Sequence, residues 1–403
     1  MDNETDTLIN VFRGSTEPEE IELSKFKTEF AKYLQSDNLS FLFGAGCSSF
    51  IDEEKKQLGI DTMGGLYEKF KVKNPNFKVG SKNIDDEGLE QNLERVMDIL
   101  ISLNEAQGYI RVKNKADEQI NKIRGFIKKE ILNNTPDLSE AKDNKLVKLY
   151  RDFYMRTVSK TRKNPINIVT TNYDLYNEMA LDSLGYFYND GFSGNYGRKF
   201  NPQVYNYVYA NSLELDKNIW TRVENFFNLF KIHGSISWVK DSKGEEIFER
   251  FPDKDDQSAE NVMIYPTPLK DRSTLMVPYS DLFRNFQNHL ARPNSVLVVI
   301  GYSFGDDHIN RIILDNLAVP SFRLIVFGVP ETVYGKANKI LQLLQAGDKR
   351  IMVVNSADKI HYFNNFVEKL MPSPLPEISE KDQLIENMKN IHNLMQEGTK
   401  SGK

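Results

Sequence analysis

Five short apolar runs constrain this chain most: Leu39–Phe43 (LSFLF), Ile166–Val169 (INIV), Leu229–Ile232 (LFKI), Val296–Ile300 (VLVVI) and Leu324–Phe327 (LIVF). None alternates polar with apolar residues as a half-exposed strand does, so each must be buried on both faces. Cover above and below a sheet comes from helices, and the stretches between the runs are long enough to supply them. Val262–Tyr265 (VMIY) reads as a further strand of this kind, and Met352–Val354 as a weaker one. The fold class expected is therefore α/β, a Rossmann-like parallel sheet covered by helices on both faces.

The rest of the chain is arranged around those strands. Residues 1–37 read as an N-terminal lead with an amphipathic helix over Ile21–Gln35. After the first strand the apolar period changes from runs to helical spacing: Leu89, Leu93, Val96, Met97 and Leu100 share one face, and Leu146, Leu149 and Phe153 repeat it. This predicts a helical subdomain inserted at about 80–163, within a catalytic domain of 38–370. The Tyr-, Asn- and Gly-rich stretch Gly185–Tyr209 reads as an ordered but irregular loop beside a site, with no role assigned. The segment 371–403 begins as a stiff Pro-rich linker, and Leu384, Met388, Ile391 and Met395 then form a narrow helical stripe suited to an interface between subunits.

Composition narrows the function classes. With a formal net charge of -5, overall charge gives no hold on nucleic acid or an anionic membrane, and the basic stretches Lys113–Lys129 and Lys145–Lys163 read as solvated helix faces. The single cysteine, Cys47, precludes an internal disulfide and a zinc site of several thiolates, and suits a reducing cytoplasm. No run approaches the roughly 18 apolar residues of a membrane span. A soluble, cytoplasmic protein is expected.

Four segments carry chemistry, each at the carboxyl end of a predicted strand, where α/β sheets present ligands. In Phe43-Gly-Ala-Gly-Cys-Ser48, Gly44 and Gly46 let backbone amides approach a pyrophosphate, although glycine there also serves packing. In Thr170-Thr-Asn-Tyr-Asp174, Asn172 and Asp174 are placed to hold a polar ligand or water, or to cap the following helix. In Lys231-Ile-His-Gly-Ser235, His233 is expected to stand exposed at the sheet edge as a general base, the alternative being a structural histidine. In Gly301-Tyr-Ser-Phe-Gly-Asp-Asp-His308, Ser303 is the candidate ligand contact and Asp306 or Asp307 the helix N-cap.

Taken in order, these segments resemble the sirtuin family, whose pattern is a Gly-Ala-Gly-x-Ser turn, an Asn-x-Asp motif, a His-Gly pair and a Gly-x-Ser turn after a late strand. The resemblance spans Leu39–Phe327. It implies NAD as the ligand, with Gly44, Ala45, Gly46 and Ser48 cradling its phosphates. Asn172 would position the ribose and a water, with Thr171 and Asp174 beside it and Asp174 toward the nicotinamide carboxamide. His233 would be the base, and Gly301 with Ser303 would contact the adenosine half.

Protein-deacylating sirtuins carry a four-cysteine zinc module and a Pro-Asp-Phe-Arg segment, and this sequence has neither. What remains is similar to the bacterial sirtuin-like NAD hydrolases of antiphage defence, which share the Thr-Thr-Asn-Tyr-Asp and Gly-Tyr-Ser-Phe wording. That resemblance implies an NAD glycohydrolase without zinc, releasing nicotinamide and ADP-ribose and depleting NAD in antiphage defence. It also implies a homo-oligomer paired with a HerA-type ATPase. The competing classes are ADP-ribosyl transfer or deacylation, where the same intermediate is captured by another acceptor, and a non-catalytic subunit that senses NAD or ADP-ribose.

Overall fold

In the computed structural model the described residues are 7–374, apart from 53–55, 90, 111–115, 138, 160–161, 163, 215–218, 224, 242, 244, 253–260 and 264–276. The buried runs become strands of one nine-stranded sheet: β1 (Leu8–Arg13), β2 (Glu19–Glu22), β3 (Asn38–Phe43), β4 (Ile166–Thr170), β5 (Phe187–Asn189), β6 (Phe226–Lys231), β7 (Ser295–Ile300), β8 (Arg323–Phe327) and β9 (Ile351–Asn355). Their order across the sheet is β2-β1-β9-β8-β7-β3-β4-β6-β5. All pairings from β9 across to β5 are parallel, and the two that join β1 are antiparallel.

Each central strand feeds two cores. On β7, Val296, Val298 and Ile300 point into one apolar cluster while Leu297 and Val299 point into the other, all essentially buried. The first face is covered by α1 (Leu23–Leu34), α2 (Met63–Lys73), α3 (Leu93–Ile110), α4 (Ala116–Asn134), α5 (Lys145–Thr157) and α6 (Tyr176–Leu184). The second is covered by α7 (Tyr279–Leu290), α8 (Asp307–Asn316), and the short helices α9 (Pro330–Lys336) and α10 (Asn338–Gln345). The fold is a mixed, mostly parallel α/β sandwich of the Rossmann-like type. On α5, Phe153 meets Phe41 and Phe43 of β3 edge-on at 4.9 and 5.1 Å, pairs worth about 0.5–1.5 kcal/mol each beyond their buried area.

A polar ladder fixes strand register inside this apolar interior. Asn228 Nδ2 donates to Asn167 Oδ1 at 2.9 Å, Asn167 Nδ2 to Ser40 Oγ at 3.3 Å, and Asn189 Nδ2 to Asn228 Oδ1 at 3.4 Å. These residues are direct register partners on β3, β4, β6 and β5. A slip by one residue would strand several buried amides without partners, which is costly in a medium that offers no water. The ladder therefore holds the carboxyl ends of these strands in fixed relative position.

Several expectations need correction. The lead is not helical throughout: Leu8–Arg13 and Glu19–Glu22 add strands to the sheet, because Ile9, Val11 and Ile21 supply an alternating apolar face. The helix accordingly begins at Leu23 rather than Ile21. The segment around Val262 does not join the parallel sheet; Asn261–Met263 pairs antiparallel with Gly234–Lys240 in a separate five-stranded sheet. Part of the stretch 185–209 is regular, since Phe187–Asn189 extends the central sheet while Phe192–Ser193 and Lys199–Phe200 enter the small one. In the helical insertion Leu89, Leu93, Val96, Met97 and Leu100 are buried as their spacing predicts. The stripe Leu384, Met388, Ile391 and Met395 lies outside the described residues.

Candidate functional site

Strands β7, β3, β4 and β6 are consecutive and parallel, so the four chemistry-bearing segments emerge side by side at one end of the sheet. There they line a cavity of about 420 Å³ that includes Ala45, Gly46, Ser48, Thr171, Asn172, Asp174, His233, Gly301 and Ser303. Gly44 alone of the expected residues is behind the surface.

The glycines act on one another. Gly44 N–H donates to the Ile300 carbonyl at 3.0 Å and Gly46 N–H to that of Gly301 at 2.9 Å. A methyl group on Gly44 would stand 2.4 Å from the Gly301 oxygen, and one on Gly301, whose φ is +64°, 2.8 Å from the Cys47 nitrogen. Close approach of two turns demands glycine here. The amides of Cys47 and Ser48 bond back to Gly44 and Ala45 carbonyls within a three-residue 3-10 turn. The amides of Gly44, Gly46, Cys47 and Ser48 are thus engaged within the protein, and the glycines serve the close packing of the two turns.

Asn172 is held by its own turn. Its N–H donates to Thr170 Oγ1 at 3.0 Å and its Nδ2 to the Gly44 carbonyl at 2.9 Å. The carboxamide plane is thereby fixed, with Oδ1 left as the acceptor on this cavity-lining side chain. Asp174 is more engaged than expected: Oδ1 accepts from the Tyr176 amide at 3.2 Å, near the start of α6, and Oδ2 accepts from Ser48 Oγ. The helix N-cap is Leu175, without a side-chain cap, so Asp174 braces the turn just before it and also ties the first turn to the second. Burial raises its carboxyl above the usual range, partly offset by Lys231 and the Ser48 hydroxyl.

His233 does not stand exposed at a sheet edge. Strand β6 lies between β4 and β5, and the His233 side chain is 9% exposed. Its Nε2 faces Asp306 Oδ2 at 3.1 Å, while Asp306 Oδ1 caps α8 by accepting from His308 N–H at 3.0 Å and Ile309 N–H at 3.3 Å. One carboxylate thus does two tasks. A carboxylate favours a proton on the ring nitrogen nearest it. The cap is Asp306 rather than Asp307, and its contact with His233 is a feature of the cavity that motif reading misses. The loop between is strained: Phe304, buried, has φ of +57°, a conformation that costs of order 1–3 kcal/mol for a non-glycine residue and clusters at functional sites.

Two more surfaces complete the site. The chain between β3 and β4 supplies an apolar wall through Ile60, Met63, Leu66, Ile127 and Ile131. A second cavity of about 410 Å³ shares Gly46, Thr62, Gly301, Tyr302 and Ser303 with the first and continues past β8 to Gly328, Thr332 and His361. Ser303 is exposed where the two meet. No residue of 185–209 is among the described residues lining either cavity. Among the described residues there is also no group of three or more His, Cys, Asp or Glu side chains able to hold a metal ion, and no helix long and apolar enough to cross a membrane.

Residues 166–321 match the family model of the SIR2-like domain. The match runs from β4 through α8 and takes in three of the four segments; the Gly-Ala-Gly turn precedes it, brought in by the pairing of β3 between β4 and β7. It supports a sirtuin-like family and NAD-related chemistry of the sirtuin type. No curated protein matches the chain.

Proposed function

We propose that the protein hydrolyses NAD at the nicotinamide–ribose bond, giving nicotinamide and ADP-ribose. The observation that carries this reading is the meeting of Asn172 and the His233–Asp306 pair on one cavity, inside a segment that matches the SIR2-like domain. The second cavity beyond Gly301 and Ser303 offers room for the other half of a dinucleotide.

The chemistry asks little of a general acid. Nicotinamide leaves as a neutral molecule, taking the electron pair of its bond to C1′ and leaving an oxocarbenium-like sugar. The protein must orient that sugar, exclude bulk solvent and deliver one water. In this reading Asn172 Oδ1 accepts from a ribose hydroxyl or the water and His233 takes the water's proton, a step worth about 10²–10⁴-fold. The apolar wall keeps other water out.

The resemblance to antiphage NAD hydrolases extends the proposal to NAD depletion by a cytoplasmic homo-oligomer working with a HerA-type ATPase. Unregulated NAD loss would harm the host cell, so a gate of this kind is expected. The deciding experiment is nicotinamide release from NAD by the purified chain, alone and with candidate partners. No release under any condition removes the hydrolase reading, and transfer of label from NAD to a protein would replace it with ADP-ribosyl transfer.

A further inference from the structure

Under the cavity floor lies a charged group that the bond cleavage itself does not use. Lys231 ends β6 two residues before His233 and is 1% exposed. Its ammonium donates to Glu178 Oε1 at 2.7 Å, to the Asp174 carbonyl, and at 3.5 Å to the Tyr173 carbonyl. Glu178 belongs to the first turn of α6, and its Oε2 is buried without a partner. Burial raises the Glu178 carboxyl above its usual range, with Lys231 pulling it back down.

A buried ion pair is a poor device for stability alone, since an apolar pair of similar volume often does as well. What an ammonium supplies and an apolar residue cannot is a set of donors for main-chain carbonyls. Two of those carbonyls belong to the turn that carries Asn172, and the strand that carries the ammonium runs directly into His233. The Thr170–Asp174 turn and the His233 turn are also linked by Ile232 N–H to the Thr170 carbonyl at 3.0 Å, by Ile236 N–H to the Tyr173 carbonyl at 3.0 Å and by Ser235 Oγ to the Tyr173 carbonyl at 3.5 Å, which leaves the ammonium as the contact to the Asp174 carbonyl and to α6.

We propose that Lys231 is a positioning residue for NAD cleavage: its buried ammonium clamps the Thr170–Asp174 turn and the start of α6 onto β6, so that Asn172 and His233 keep one geometry. This rests on the hydrolase reading of the site. Replacing Lys231 alone would leave Glu178 as an uncompensated buried charge and risks unfolding. The test is therefore Lys231→Met combined with Glu178→Met in the full chain, which removes both charges and preserves apolar volume.

Two readouts are taken. In hydrogen–deuterium exchange the amides of 171–174 are expected to exchange about tenfold faster while β3 and β7 keep their protection. In nicotinamide release, kcat is expected to fall about 10²-fold with KM little changed, as for loss of geometry rather than of binding. Unchanged protection of the turn overturns the proposal, and so does a loosened turn with wild-type kcat. If the unaltered protein releases no nicotinamide, the hydrolase reading falls by itself. Exchange then decides on its own whether Lys231 holds the turn.

Discussion

The two sides of the cavity are built on different principles. Its floor consists of four strand ends joined by short polar contacts: Gly44 to Ile300, Asn172 to Gly44, Ser48 to Asp174, His233 to Asp306. Its wall comes from the chain between β3 and β4, which meets the cavity through Ile60, Met63, Leu66, Ile127 and Ile131. Floor contacts are directional, so each fixes an atom to within tenths of an ångström. Apolar packing is non-directional and tolerates exchange of one side chain for another of like volume. Chemistry should therefore be sensitive to single atoms of the floor, and the wall mainly to volume.

The sharpest way to break this contrast is to remove the reacting groups. His233→Ala or Asn172→Ala is expected to lower nicotinamide release by about 10²–10⁴-fold. Circular dichroism should stay native, because both side chains, though buried, line the cavity and belong to neither apolar core. Full turnover in either variant would mean that the floor does not carry the chemistry.

A smaller and more selective loss is expected from Asp306→Asn. Asparagine caps helices as well as aspartate does, so α8 and the melting temperature should be unaffected, while the charge facing His233 is gone. A fall in kcat of about 10–10²-fold at constant stability would separate the two tasks of this carboxylate. A drop in stability with unaltered kcat would reduce Asp306 to a cap.

Legibility in the sequence followed the same division. Central strands show because burial on both faces forces runs such as VLVVI, and parallel pairing then brings four distant turns together without further information. The wall has no signature beyond helical period, which predicts burial but not which residues border a cavity. Strands β1 and β2 and the small sheet escape notice because they are short and mix polar with apolar residues. Val262 misleads for the opposite reason: a four-residue apolar run looks the same in a parallel core and in a small antiparallel sheet. The contact between His233 and Asp306 spans 73 positions and leaves no local pattern.

The asparagine ladder tests whether the floor depends on register. Asn228→Leu removes the donor to Asn167 Oδ1 and one of two acceptors of Asn189, whose Nδ2 still reaches the Tyr207 carbonyl, leaving a buried acceptor unpaired at about 1–3 kcal/mol. Denaturant unfolding should show that loss, and kcat should fall with it if the strand ends shift. An unshifted midpoint would mean that the side-chain ladder does not set the register.

The smallest effect is expected off the cavity lining, where Arg198 Nη2 holds both Asp190 oxygens at 2.7 Å and the guanidinium also pairs with Glu249, joining the 185–209 stretch to the small sheet. Burial, then the nearby Asp190 charge, lifts the Glu249 carboxyl from 4.5 to about 7, against the opposing pull of Arg198. A carboxyl raised on folding binds its proton more tightly in the native state. Its contribution to stability is therefore full below about 4.5 and is lost as pH rises through about 7. Melting of the wild-type protein at pH 5 and pH 8 contains this component, and Glu249→Gln should remove it. The difference between the two proteins would then be a few degrees, given that about 1 kcal/mol moves the midpoint of a large domain by only ~2–4 °C. Nicotinamide release at each pH should be unchanged by the substitution, since Glu249 lines neither cavity. If wild-type and variant melting temperatures keep the same separation at both pH values, Glu249 does not titrate across this window. A loss of turnover would couple this cluster to the floor, through the Lys231 and Glu178 charges that also act on Glu249.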